Sequence, residues 1–136
     1  MTTRSLLRSA LPVAVAVLAG TASFADEPGP GASKVPVPET GELLYRAVCQ
    51  SCHMADAKGA TGAATIPALA GNAALAAPEY PITMIATGRG AMPSLTGMLS
   101  PTQIAAVVTY IRTHFGNHYP KAVTAEQVRT VIQAAH

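Results

Sequence analysis

Tryptophan is absent, and aromatic residues make up only 4% of the 136-residue chain. A core built from these side chains is short of large apolar bodies, and a domain of this size buries limited surface to begin with. Charge is scarce as well, at 12% of residues. No basic stripe or patch of the kind that binds nucleic acid is present. Two cysteines are too few for a disulfide scaffold or for a structural zinc site, which takes four ligands and usually a second Cys pair. No apolar run approaches the about 20 residues that a membrane-spanning helix needs. Strand patterning is missing throughout, so the periodicity that remains is helical and the fold class is all-α.

What is present centres on Cys49-Gln50-Ser51-Cys52-His53. Two thiols three residues apart share one face of a helical turn, and an imidazole follows at once. This order reads as a c-type haem attachment site: both sulfurs form thioethers to one porphyrin, and His53 supplies a nitrogen ligand to its iron. A thioredoxin-like redox pair would need a βαβ context that is lacking. A structural disulfide would leave His53 without a role. A covalently held porphyrin would also supply the apolar body that the side chains lack.

The N-terminus agrees with an exported protein. Arg4 and Arg8 form a positive region, Ala10–Ala19 is apolar apart from Pro12, and Ser23-Phe24-Ala25 is a small-x-small cleavage site. Residues 1–25 therefore read as a signal peptide cleaved after Ala25, and the location as the periplasm. Without Arg4 and Arg8, seven basic residues face seven acidic ones, so strong electrostatic steering is not expected. Residues 26–38, with four prolines and two glycines, read as an extended linker.

A first helix is expected from an N-cap at Thr40 to about His53, with Leu43, Leu44, Ala47 and Val48 as its apolar stripe. The stretch 54–72 carries Gly59, Gly62 and Pro67 and reads as a long loop that wraps the porphyrin edge. A helical turn over 73–77 follows. A short helix with Pro81 at its first position ends at Gly88. In the next loop Met92, between glycines and Pro93, is held toward an extended backbone. It is the preferred sixth iron ligand over Met54, Met84 and Met98. Ser100, Pro101 and Gln103 form a capping box for a helix with the stripe Ile104, Val107, Val108 and Ile111, stopped at Gly116. His114 and His118 read as solvated. Thr124 and Gln127 open a terminal helix to about Ala135.

With these residues in place, 39–115 resembles the class I c-type cytochromes. The resemblance implies a cytochrome c fold around one covalent haem c, with a domain over 39–116 and a C-terminal extension over 117–136. It pairs Gly41 and Tyr45 on the first helix with Val107 and Tyr110 on the last. Pro67-Ala68-Leu69-Ala70-Gly71 resembles the segment whose proline carbonyl accepts the N–H of the iron-bound histidine, although Ile66 stands where glycine is frequent. The implied function is electron transfer, not catalysis. The expected partner is a periplasmic dehydrogenase, for which the chain would be cytochrome subunit or electron acceptor. The alternatives are a free shuttle to a terminal oxidase and a haem enzyme or sensor with an open iron position.

Overall fold

In the computed structural model, residues 39–62 and 64–135 are described; the signal peptide and linker expected over 1–38, together with Ala63 and His136, lie outside them. The backbone enters a helix at Thr40, whose hydroxyl accepts the Leu43 N–H. That helix runs as α1 (Gly41–Leu44), a π-helical turn (Tyr45–Cys49) and α2 (Gln50–His53). Helical torsions at Tyr45 and Gln50 keep it continuous, and the wider turn falls directly ahead of the cysteine motif. Such π turns rotate the side chains that follow relative to those before.

The stretch 54–72 is not wholly irregular. Two-residue strands β1 (Ala60–Thr61) and β2 (Thr65–Ile66) pair antiparallel, Ala60 opposite Ile66 and Thr61 opposite Thr65. Runs this short give no alternation to read. A 3₁₀ turn (Ala73–Ala76), α3 (Glu79–Thr87), α4 (Pro101–Thr113) and α5 (Ala125–Ala134) complete the chain. Apart from that small ladder the regular structure of the described residues is helical.

Two helix ends differ from expectation. α3 starts at Glu79, so Pro81 stands third and not first. Nothing is lost, because none of the first four N–H groups of a helix has an intrahelical acceptor. α4 ends at Thr113, ahead of Gly116: His114 is extended, and Phe115 turns left-handed with φ of 57° before Gly116 does. The Ile111 carbonyl, left open by that early end, accepts from the Asn117 side chain at 2.8 Å. Both expected capping boxes, Ser100 with Gln103 and Thr124 with Gln127, are formed in full.

The core collects Leu44 and Tyr45 from the first helix, Leu75, Ile82 from α3, and Ile104, Val107 and Val108 from α4. Val128 of α5 is also fully buried, so the C-terminal extension packs into the same core. Tyr45, Tyr110 and Phe115 form a ring cluster, with centroids 4.8 to 5.9 Å apart. It concentrates half of the chain's six aromatic residues where the first helix meets α4.

That meeting depends on Gly41. A Cβ there would run into the Ala106 carbonyl oxygen and lie 2.6 Å from the Tyr110 Cβ. Backbone, not a movable side-chain tip, is the obstacle. Gly41→Val is therefore expected to cost about 3 kcal/mol as overpacking forces the helices apart. A chemical-denaturation midpoint for the variant equal to that of the parent would contradict this account of the crossing.

Candidate functional site

α2 ends at His53 because Met54 turns to φ of 66°, which the helix cannot continue. The chain then folds back under the histidine. Gly59 N–H donates to the His53 carbonyl at 3.2 Å, and Ala57, fully buried, accepts from the N–H groups of both Leu69 and Ala70. These bonds bring the Pro67 carbonyl oxygen to 3.1 Å from His53 Nδ1. A carbonyl can only accept, so Nδ1 carries the hydrogen, and in the neutral ring the lone pair is left on Nε2. Ile66, where glycine is frequent in the resembling family, has no left-handed torsion and sits in β2; the left-handed residue packed against its carbonyl is Gly59, with φ of 69°.

His53, Cys49 and Cys52 line a cavity of about 620 Å³. Its walls are largely aliphatic: Val48, Leu69, Leu75, Ile85, Leu95, Val107 and Ile111. Pro67 and Met92 line the same space. The volume lies within the range of cofactor pockets. Both thiols are free. Burial pushes the Cys49 thiol up to about 11, with Cys52 adding to the rise. Among the described residues no cluster of three or more His, Cys, Asp or Glu could hold a metal ion, so Cys49, Cys52 and His53 do not converge on one ion-sized point. A spread thiol pair, an imidazole with a free Nε2 and an apolar cavity fit a porphyrin and not a bare ion.

Met92 is half-buried and its backbone is pinned. Arg89 and Met92 exchange both N–H···O bonds, at 2.9 and 3.0 Å. The turn folds back onto Gly88, where a Cβ would lie 2.6 Å from the Met92 carbonyl oxygen and where φ is 71°. Ser94 Oγ donates to the Ala86 carbonyl at 2.6 Å, and Leu95 N–H to that of Ile85, which fasten the far side of the loop. Met84 and Met98 also line the cavity; Met98 is 56% exposed, and Met54 is exposed and not among the lining residues. His114 and His118 are exposed, and neither lines the cavity.

Gly41, Tyr45 and Tyr110 lie together at the crossing, and Val107, buried in the same core, lines the cavity. Tyr45 is buried and its hydroxyl donates to the Met54 carbonyl at 2.7 Å, just beyond the histidine.

Two buried polar residues were not foreseen. Arg112 donates to the carbonyls of Leu75, Ala76 and Lys121. Its spacing of four from Ile104 and Val108 was the signal, since it extends the inward stripe by one turn. Asn117 is 2% exposed, and its amide bonds Leu69, Asn72 and Ile111. Beside a glycine it reads only as a helix stop, and no periodicity reveals where its amide goes.

A helical domain wrapped on an apolar cavity, with a Cys-x-x-Cys-His wall, defines the c-type cytochrome class. Residues 36–111 match the family described as "Cytochrome C oxidase, cbb3-type, subunit III", and the chain belongs to that family. Its cofactor is one covalent haem c, and it is a haem electron-transfer protein. The chain is similar to the "Alcohol dehydrogenase (quinone), cytochrome c subunit" of Gluconacetobacter polyoxogenes, 37% identical over 101 residues. The subunit of the same name from Komagataeibacter europaeus is equally similar. Each match covers 65% of this chain and 21% of the relative, so the chain spans about a fifth of the length of these relatives.

The site's burial has a pH consequence. Desolvation by burial, with the nearby Asp56 charge adding to it, pushes the Tyr45 phenol up from 10.0 to about 12. The folded state thus holds this proton more tightly than the unfolded chain. Its stabilising effect is complete below pH 10 and is lost as pH rises toward 12. Tyr45→Phe should flatten that alkaline decline while costing about 1 kcal/mol at neutral pH through the lost bond to Met54. Denaturant unfolding across the alkaline range checks it; parallel slopes for parent and variant would assign the decline to other groups.

Proposed function

We propose that the chain is a periplasmic single-haem electron carrier, not an enzyme, that serves a dehydrogenase as cytochrome subunit or electron acceptor. In this reading Cys49 and Cys52 would hold the haem covalently, and His53 and Met92 would ligate its iron. The observation that carries it is the joint placement of Cys49, Cys52, His53 and Met92 on one apolar cavity, with Pro67 set against His53.

Haem c supplies a one-electron Fe(III)/Fe(II) couple. The chain's own residues then set its terms. The Pro67 carbonyl fixes the ring orientation of His53 and raises its basicity. The pinned Arg89–Met92 turn presents a thioether, a ligand that raises the potential. His53 and Met92 would both hold the iron from the protein, and a site held in that way would supply electron transfer and not bond chemistry, which is why the reading is a carrier and not an enzyme. The aliphatic walls keep water away and favour the less charged state.

Similarity to dehydrogenase cytochrome subunits supports the dehydrogenase as partner; the family description names an oxidase subunit and keeps a terminal oxidase as the second partner. Among the described residues no helix is long and apolar enough to cross a membrane. The arginine-flanked apolar N-terminus and its Ser23-Phe24-Ala25 site support export.

Met92→Ala should abolish the low-spin six-coordinate spectrum and its far-red charge-transfer band, open the iron to carbon monoxide, and lower the reduction potential. An unaltered spectrum and potential would transfer the ligand role to Met84 or Met98, which share the cavity.

Charge is sparse on the cavity lining, where Arg89 is the one Lys, Arg, Asp or Glu and makes no ion pair among the described residues. Lys58, which follows the cysteine motif in the chain, is paired with Asp56 at 3.2 Å. Transfer to the partner should therefore change only a few-fold between low and high ionic strength, since screening acts on charged encounters. Stopped-flow rates with the co-purified partner measure this; a drop of several tens of fold would mean a charge-steered contact.

A further inference from the structure

The Pro67 carbonyl lies on a segment, 67–72, that has no regular structure of its own. Its position must come from elsewhere. On one side the Ala57 carbonyl accepts from Leu69 and Ala70, at 2.8 and 2.9 Å. On the other side the segment meets the turn that follows α4. There Asn117 Nδ2 donates to the Leu69 carbonyl at 2.8 Å, and its Oδ1 accepts the Asn72 N–H at 2.9 Å. The second Nδ2 hydrogen goes to the Ile111 carbonyl at 2.8 Å. The Phe115 carbonyl adds an acceptor for the Gly71 N–H at 3.0 Å.

Each polar group of the Asn117 amide is thus engaged, with Oδ1 accepting once and Nδ2 donating twice, at 2% exposure. The fit is chemically selective. A carboxylate would set an oxygen against the Leu69 and Ile111 carbonyls, and a shorter side chain would strand buried partners. The bonds reach 45 and 48 residues along the chain, so they join the end of α4 to the histidine side of the cavity.

We propose that Asn117 is a positioning residue for the axial histidine, acting through the Leu69–Asn72 backbone to hold the Pro67 carbonyl on His53 Nδ1–H and thereby to set the reduction potential. This rests on the reading of His53 as an iron ligand. The sign of the effect follows from the bond. A carbonyl accepting from Nδ1–H makes the imidazole a stronger donor, which favours Fe(III) and lowers the potential. Releasing the segment weakens that bond, so the potential rises. A wall that merely loosened would admit water, favour the more charged Fe(III), and move the potential the other way.

The experiment compares the holoprotein with its Asn117→Ala variant by redox titration, thermal melting and proton NMR of the reduced form. The expected result is a higher potential in the variant, with the His53 Nδ1–H resonance moved upfield as its hydrogen bond weakens. A lower melting temperature with an unchanged or lowered potential would assign Asn117 a purely structural role and overturn the proposal. Should the variant fail to accumulate, hydrogen exchange on the parent decides. Gly71 and Asn72 amides as slow as those in mid-α4 support the latch, and exchange at the rate of a free loop overturns it. The axial-histidine signature in the parent separates the two claims. Its absence sinks the ligand assignment and the inference together, whereas its presence with an unmoved potential in the variant sinks the inference alone.

Discussion

The bond from His53 Nδ1 to the Pro67 carbonyl oxygen, 3.1 Å long, is the contact on which the histidine side of the cavity is built. It joins the end of the first helix to a segment 14 residues further on. Neither party could hold its place alone. His53 is the last residue of the first helix, where the backbone leaves helical torsions, and Pro67 precedes five residues without a helix or strand. Their geometry is imposed from outside, by Gly59 and Ala57 below and by Asn117 and Phe115 across. A single well-aimed imidazole thus draws on hydrogen bonds from three separate stretches. Such dependence suits a group whose orientation sets the donor strength of its other nitrogen.

The scarcity of aromatic residues and of charge shapes the rest. Tyr45, Tyr110 and Phe115 are spent together at the crossing, not on the cavity walls. The walls are mostly aliphatic residues and methionines, with Tyr80 the one aromatic among them, and the flexible thioethers adapt to a flat, rigid body. Pairing Tyr45 OH with the Met54 carbonyl anchors that ring cluster to the turn after His53. The crossing at Gly41 and the placement of the cysteine motif are thereby one mechanical unit, separated by a single π turn.

Legibility in the sequence followed the range of the interaction. The capping boxes at Ser100 and Thr124 are local and were plain, as were the helix stripes and the attachment motif. The start of α3 at Glu79 was misplaced because proline is tolerated anywhere in a first turn, so Pro81 marks a region and not a residue. The end of α4 was misplaced because Asn117 closes the Ile111 carbonyl from outside the helix, a bond that no local pattern announces. The strand pair around Gly62 was too short to alternate. Met92 could be singled out by the proline after it, yet its pinning by Arg89 and its packing over Gly88 are facts of folding. Arg112 and Asn117 act across 36 to 48 residues, and a single sequence carries no sign of such reach.

Arg112 shows how the extension came to be part of the domain. A buried guanidinium without a carboxylate is costly unless its N–H groups are met. Here three carbonyls meet them, two from the 3₁₀ turn that supplies Leu75 to the cavity and one from Lys121 in the extension. Tyr119 lies across the guanidinium, its ring centre 6.0 Å away, and donates its N–H back to the Arg112 carbonyl. Removing the extension would therefore strip an acceptor and a ring from a buried cation while opening the core at Val123 and Val128. The same segment carries Asn117. The stretch after α4, outside the span that resembles the small cytochromes, thus braces the cavity wall twice, once at Leu69–Asn72 and once at Leu75–Ala76. A domain with few large side chains gains rigidity there by directed hydrogen bonds to backbone, where a larger core would have used packing.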